Sequence, residues 1–210
     1  IYQHLLAIAN KESIIYENKA IKLIAKRSNG GMRDAQSLLD QLSLLPKGIN
    51  IKSVEEILGE VSEIEIINLI KALIENNPQN LIKSCNDLYD SGNEPSAILE
   101  GLLNITRDLL LTTINNNYSN LFYTSEDFHP KLRDFAQLIS KSTIIRWHHN
   151  LKNIEYQIKT SSQPRLWLEI HLTSLLSIKE QFDNSSTAPP QESSSRNLNT
   201  TPPQDSSSRN

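Results

Sequence analysis

Asn29-Gly30-Gly31-Met32-Arg33-Asp34-Ala35 is the stretch whose residue types and spacing most invite chemistry. Two glycines lead into a helix whose first backbone N–H groups have no intrahelical partner. Arg33 falls in the first turn of that helix, where a cation opposes the macrodipole by roughly a few tenths of a kcal/mol. A bound anion would reconcile the two, because helix N-terminus and guanidinium would then converge on one phosphate. The alternative is that Arg33 pairs on the surface with Asp34 or another acid, and the residues alone leave both readings open.

The other candidates read as structure. Of five histidines only His148 and His149 are close, and neighbours on a helix point about 100° apart. No HExxH, Cys/His cluster or two-histidine-plus-carboxylate spacing occurs, so no metal site is expected. Trp147 and Trp167 lie in apolar helical stripes and are assigned to core packing rather than base stacking. Cys85, the single cysteine, sits on a buried stripe as an inert thiol, and a lone thiol suits a reducing compartment such as the cytoplasm. There is no GxxxxGK[ST] phosphate loop and no nucleophile, base and orienter set, so no catalytic residue is assigned.

The elements that must position Arg33 are helices. Apolar residues recur at helical spacing in segment after segment, with at most two or three extended residues near Ile49 to Ile51. The fold class is all-α. Helices are expected at Tyr2 to Asn10 and at Glu17 to Arg27, the latter with Ala20, Leu23 and Ile24 inward. A third carries Met32, Ala35, Leu38, Leu39, Leu42 and Leu45 on one stripe until Pro46-Lys47-Gly48 stops it. That closes a first small bundle, with the boundary near Lys47 to Ile51.

A second, larger helical unit follows. Ser53 with Glu56, and Ser62 with Glu65, have capping-box spacing and mark two helix starts, the second leading into Ile66, Leu69, Ile70 and Leu73. Pro78 opens a helix with Leu81, Ile82, Cys85 and Leu88 buried, and Gly92 ends it. Pro95 opens a long one through Ile98, Leu102, Ile105 and Leu109. An Asn-rich loop near Asn115 to Asn120 precedes helices at Lys131 to Ile139, Thr143 to Thr160 and Pro164 to Phe182, about nine helices in all. Beyond Asp183 the chain holds little but Ser, Asn, Thr, Pro, Gln and a few charges, too polar to repay ordering, and residues 183 to 210 are expected to be a disordered linker. Within it the stretch from Pro189 to Asn197 recurs as Pro202 to Asn210 with Asp205 for Glu192, which reads as linker expansion.

Composition narrows the function. Lys and Arg number 21 against 24 Asp and Glu, a formal charge of -3, whereas autonomous nucleic-acid binders carry a basic excess for phosphate neutralisation. Apolar runs fall far short of the roughly 20 residues that cross a bilayer, so no membrane is expected as a partner. The start, Ile1-Tyr2-Gln3-His4, has neither an initiator Met nor a signal pattern, and the chain reads as a piece of something longer. A docking part of a larger assembly fits best, and a non-enzymatic helical adaptor or scaffold is the alternative.

Gly30-Gly31-Met32-Arg33-Asp34-Ala35-Gln36-Ser37-Leu38-Leu39-Asp40-Gln41 resembles the sensor-2 stretch of the gamma/tau subunit of the bacterial DNA polymerase III clamp loader. Ile8-Ala9-Asn10-Lys11-Glu12, Ile14 and Ala20 to Arg27 look like the small helical lid of that AAA+ protein. Gln163-Pro164-Arg165-Leu166-Trp167-Leu168-Glu169-Ile170 resembles the end of its collar domain, particularly the cyanobacterial form. Gly31 stands where many members have Ser, and Gln36 where many have Leu. The family's nucleotide-binding AAA+ domain, with its P-loop, acidic Walker B residues, zinc cysteines and arginine finger, is missing from this chain.

The resemblance implies residues 1 to 46 as the lid and 49 to 182 as the oligomerising collar. Arg33 would then be the sensor-2 residue that contacts the terminal phosphate of ATP, held with Mg mainly by the missing domain. The implied partners are other gamma/tau copies and the delta and delta-prime subunits through the collar, with the sliding clamp and primed DNA reached through the whole assembly. The chain alone is expected to bind no cofactor, and the whole loader is an ATPase.

Overall fold

A computed structural model of the chain describes residues 1–28, 30–114 and 121–183, with side chains to residue 176. The expected Asn-rich loop at 115–120 and the expected disordered linker lie outside the described residues, apart from Asp183, which ends the last helix. The described residues are all-α, as the periodicity requires. Their only extended pairing is a bridge between Tyr16 and Ile49, at the start of the short stretch expected at Ile49 to Ile51.

The first bundle comprises α1 (Tyr2–Lys11), α2 (Asn18–Arg27), α3 (Met32–Ser43) and α4 (Ile51–Leu58). Ala20, Ile21, Leu23 and Ile24 of α2 meet Leu5 of α1 and Ala35, Leu39 and Leu42 of α3 in one buried core. The stripe on α3 is narrower than its sequence suggests. Met32 is 37% exposed at the helix start, and Leu45 lies beyond the last turn, packed at the rim. Ile49 and Val54 belong to the same core, so α4 packs with the first bundle although the sequence boundary falls before it.

Gly48 makes this closure possible. Its φ is +76°, and a Cβ there would stand 2.7 Å from the Ile15 carbonyl oxygen. The next residue, Ile49, donates its N–H to that oxygen at 2.8 Å and accepts from the Glu17 N–H at 2.8 Å. Only glycine passes so close to another backbone without strain.

The start of α4 differs from expectation. Asn50 is the N-cap, accepting from the Ser53 N–H at 2.9 Å while the Ser53 hydroxyl accepts from the Asn50 N–H at 3.0 Å. Ser53 is therefore the third helical residue of a capping box that begins three residues earlier than the Ser53–Glu56 spacing indicates. Ser62 does precede α5 (Glu63–Ile74), but its side chain makes no capping bond.

The second bundle is built around α5, α6 (Pro78–Asp90), α7 (Pro95–Ile114), α8 (His129–Leu138), α9 (Lys141–Asn153), α10 (Glu155–Thr160) and α11 (Pro164–Asp183), with a 3-10 turn at Glu126–Phe128. Ile66, Leu69, Ile70 and Leu73 of α5 are buried as expected, and so are Ile67, Ala72 and Ile74, because the helix is covered on most sides. Gly101 lets α7 approach it: a Cβ there would stand 2.9 Å from the Ile66 side chain. Trp147 of α9 is fully buried and donates its indole N–H to the Leu175 carbonyl of α11 at 3.3 Å. A large ring so placed adds apolar burial and still satisfies its polar atom.

Three expectations for this bundle fail. The helix foreseen over Thr143 to Thr160 is interrupted at Ile154, dividing α9 from α10. Near that break the Asn150 amide donates to the Arg146 carbonyl at 2.9 Å, the local competition that weakens a helix ladder. Ile82 is 54% exposed and Trp167 38% exposed, because α6 and α11 pack on each other and leave one face of each uncovered.

Candidate functional site

Arg33 is held by the turn between α2 and α3. The Ser28 hydroxyl donates to the Ile24 carbonyl at 2.7 Å, and the Gly31 N–H donates to the Ser28 carbonyl at 2.7 Å. Gly30 takes φ +86°, a left-handed conformation that suits glycine. The N-cap is Gly31, which has no side chain to offer, and no side chain caps the helix. The first turn of α3 therefore opens outward with its N–H groups uncapped.

Arg33 is exposed on that turn and has no hydrogen bond or ion pair among the described residues. The pair with Asp34 is not formed. Asp34 instead leans toward Gly31, where an added Cβ would stand 2.5 Å from its carboxylate oxygen. A guanidinium beside free helix N–H groups can receive an oxyanion by charge-assisted hydrogen bonds. Gln36, one turn on, contacts His4 Nε2 of α1 at 3.0 Å, tying α3 to its neighbour with a polar pair.

A second polar centre lies between the bundles, around Arg27 at the end of α2. Its side chain is 6% exposed, and Nε donates to Glu60 Oε2 at 2.8 Å while Nη2 reaches Glu63 Oε1 at 3.4 Å. Nη1 donates to the Tyr123 carbonyl at 2.9 Å, and the guanidinium carbon stands 3.4 Å from the centroid of the Tyr123 ring. The Tyr123 hydroxyl donates to Glu60 Oε1 at 2.7 Å, and burial pushes its own ionisation far up. No spacing in the sequence announces Arg27, because its partners lie 33, 36 and 96 residues away.

The same junction forms a cleft of about 920 Å³. Its lining includes Lys19, Lys22 and Lys26 of α2 together with Glu55, Glu63 and Asp127. Lys26 donates to the Thr124 carbonyl at 2.6 Å, and burial pulls its pKa below the usual lysine range. Lys19 pairs with Asp127 at the open rim. Burial pushes the Glu55 carboxyl up to about 7, with Glu63 and Glu60 adding to the rise and a backbone N–H of Glu63 opposing it.

The remaining sequence candidates are structural. His148 Nδ1 meets the buried Thr106 hydroxyl at 3.0 Å, while His149 meets Asn153 at 3.1 Å, so the pair diverges. Trp167 stacks on His171 at the surface, with ring centroids 6.0 Å apart. Cys85 is buried, and burial lifts its thiol to about 12. Among the described residues no group of His, Cys, Asp or Glu could hold a metal ion, and no helix is long and apolar enough to cross a membrane.

Two protein families match this chain. Residues 49–188 match the family described as DNA polymerase III subunits gamma and tau, domain III. Residues 1–43 match the DNA polymerase III clamp loader subunit, ATPase lid domain. Among curated proteins, STICHEL-like 3 of Arabidopsis thaliana is 29% identical over 197 residues, which cover 91% of this chain and 17% of that protein. DNA polymerase III subunit tau of Bacillus subtilis is 25% identical over 175 residues, 83% of this chain and 31% of that protein. The chain thus spans less than a third of the length of these relatives. The solved Bacillus subtilis DNA clamp loader delta protein (YqeN) aligns over 84% of this chain and 55% of its own, at 22% identity and a TM-score of 0.48.

Proposed function

Because the chain belongs to the family of DNA polymerase III gamma and tau subunits, we propose that it serves an ATP-driven clamp loader that places a sliding clamp on primed DNA in the cytoplasm. In this reading the first bundle is the lid, and Arg33 is its phosphate sensor. Arg33 contacts the terminal phosphate of a Mg-ATP held mainly by a nucleotide-binding domain outside this chain. The observation that carries the reading is the exposure of Arg33, without a partner among the described residues, on an uncapped helix start inside the lid-family match. Such a side chain is available to an anion and contributes little to the fold.

The second bundle is the collar, which joins further gamma/tau copies and the delta and delta-prime subunits. Ile82 of α6 and Leu166 and Ile170 of α11 are half exposed, the kind of apolar surface that helix neighbours cover. The resemblance at Gln163 to Ile170 supports a cyanobacterial type.

Titration of the 210-residue chain with ATP tests the division of labour. Binding should be very weak and hydrolysis undetectable, with both restored when the nucleotide-binding domain is joined to Ile1. Tight binding by the 210 residues alone would place the nucleotide site here and end this reading.

A further inference from the structure

The two hydrophobic cores do not merge: one ends at Val54 and the other begins at Val61. Between them the chain passes through Gly59, which takes φ +65° as the left-handed cap of α4, and then Glu60. A short connection of this kind leaves the relative orientation of the bundles to whatever bonds cross between them. Polar bonds cross here: Lys26 reaches the Thr124 carbonyl and Lys19 pairs with Asp127 at the rim, while the densest set, four contacts, belongs to the buried side chain of Arg27.

The geometry points to Arg27 as a positioning residue that latches the first bundle onto the second and thereby fixes where Arg33 stands. Its guanidinium uses all three nitrogens across the junction, two on Glu60 and Glu63 and one on the Tyr123 carbonyl, while its face covers the Tyr123 ring. The acceptors are themselves held. Glu60 takes the Tyr123 hydroxyl on its second oxygen, and Glu63 takes the Ser125 N–H at 2.9 Å. Thr124, between them, gives its N–H at 2.8 Å and its hydroxyl at 3.0 Å to Asp108, which is fully buried in α7. The strap 123–125 is thus anchored to the core of the second bundle, and Arg27 is clamped to the strap. A planar fork stacked on a ring has one satisfied orientation, unlike the exposed pairs at the rim.

Arg27 is the last residue of α2 and precedes the tight turn that launches α3. An orientation fixed at Arg27 is therefore transmitted through one turn to the helix start that bears Arg33. The consequence for phosphate sensing rests on the reading of Arg33 given above, but the latch itself does not.

The latch is tested by pulsed electron spin resonance on the full 210-residue chain without nucleotide. Spin labels are placed at S37C on α3 and K83C on α6, both exposed positions, while buried Cys85 stays unlabelled. The parent should give one narrow distance distribution. R27Q should at least double its width while keeping its helical circular dichroism, R27K should broaden it less, and K22Q, which touches only an exposed pair, should leave it unchanged. If R27Q loses helicity, the double variant E60Q/E63Q, which keeps every side-chain shape, decides instead. A single unchanged distance in the deciding variant overturns the latch, whatever ATP does at Arg33. A broadened distance with Arg33 variants that sense ATP normally retains the latch and removes only the sensor reading.

Discussion

Burial couples the protonation of Glu55 to folding. Its carboxyl sits at about 7 in the folded chain against the usual 4.5, so between those values the folded state holds a proton that the unfolded chain has released. Stability is then lost as pH rises from 4.5 to 7. Replacing Glu55 by Gln keeps an acceptor for the Glu63 N–H and removes the charge. Chemical denaturation should show E55Q more stable than the parent at pH 8 by up to about 3 kcal/mol and nearly equal to it at pH 4. An equal effect at both pH values would show that burial of the charge is not the cause. Arg33 is the contrasting residue, exposed and without a partner among the described residues, so Arg33→Ala should change the melt by no more than about 0.5 kcal/mol.

At the scale of elements, the closure of the first bundle depends on Gly48. Gly48→Ala puts a Cβ 2.7 Å from the Ile15 carbonyl in a left-handed conformation, which should cost about 1–3 kcal/mol in a thermal or urea melt. A neutral G48A would mean that the Tyr16–Ile49 pairing is dispensable. Helix stripes such as Leu39–Leu42 and Ile66–Ile70 were legible in the sequence because helical burial repeats every three or four residues. Trp167 and Ile82 were not, since the same periodicity marks a face that packs on a neighbour within the chain and one that is left open. The break at Ile154 carries no Pro or Gly, and the capping pair Asn50–Ser53 competes in sequence with the equally plausible Ser53–Glu56. Arg33 was legible because its turn is local, whereas Arg27 draws partners from three distant segments that only the fold brings together.

For the whole molecule, the open apolar face of α6 and α11 should report on assembly. The 210-residue chain should self-associate, or bind delta-type loader subunits, in sedimentation experiments. Ile82→Asp with Ile170→Asp should shift it toward monomer without lowering its helicity, because both side chains are half exposed. A chain that stays monomeric at high concentration and ignores those subunits would contradict the collar reading. If Arg33 senses the ATP phosphate as proposed, the effect is read most directly in a chain that joins a nucleotide-binding domain to these residues. There ATP affinity and ATP-dependent clamp loading are measured for Arg33→Ala and Arg33→Lys beside their thermal melts. Losing a charge-assisted contact of about 1.5–3 kcal/mol predicts roughly a tenfold to hundredfold weakening for Ala, with partial rescue by Lys, which lacks the planar fork. Normal ATP affinity and loading by both variants, with unchanged melts, would contradict the account.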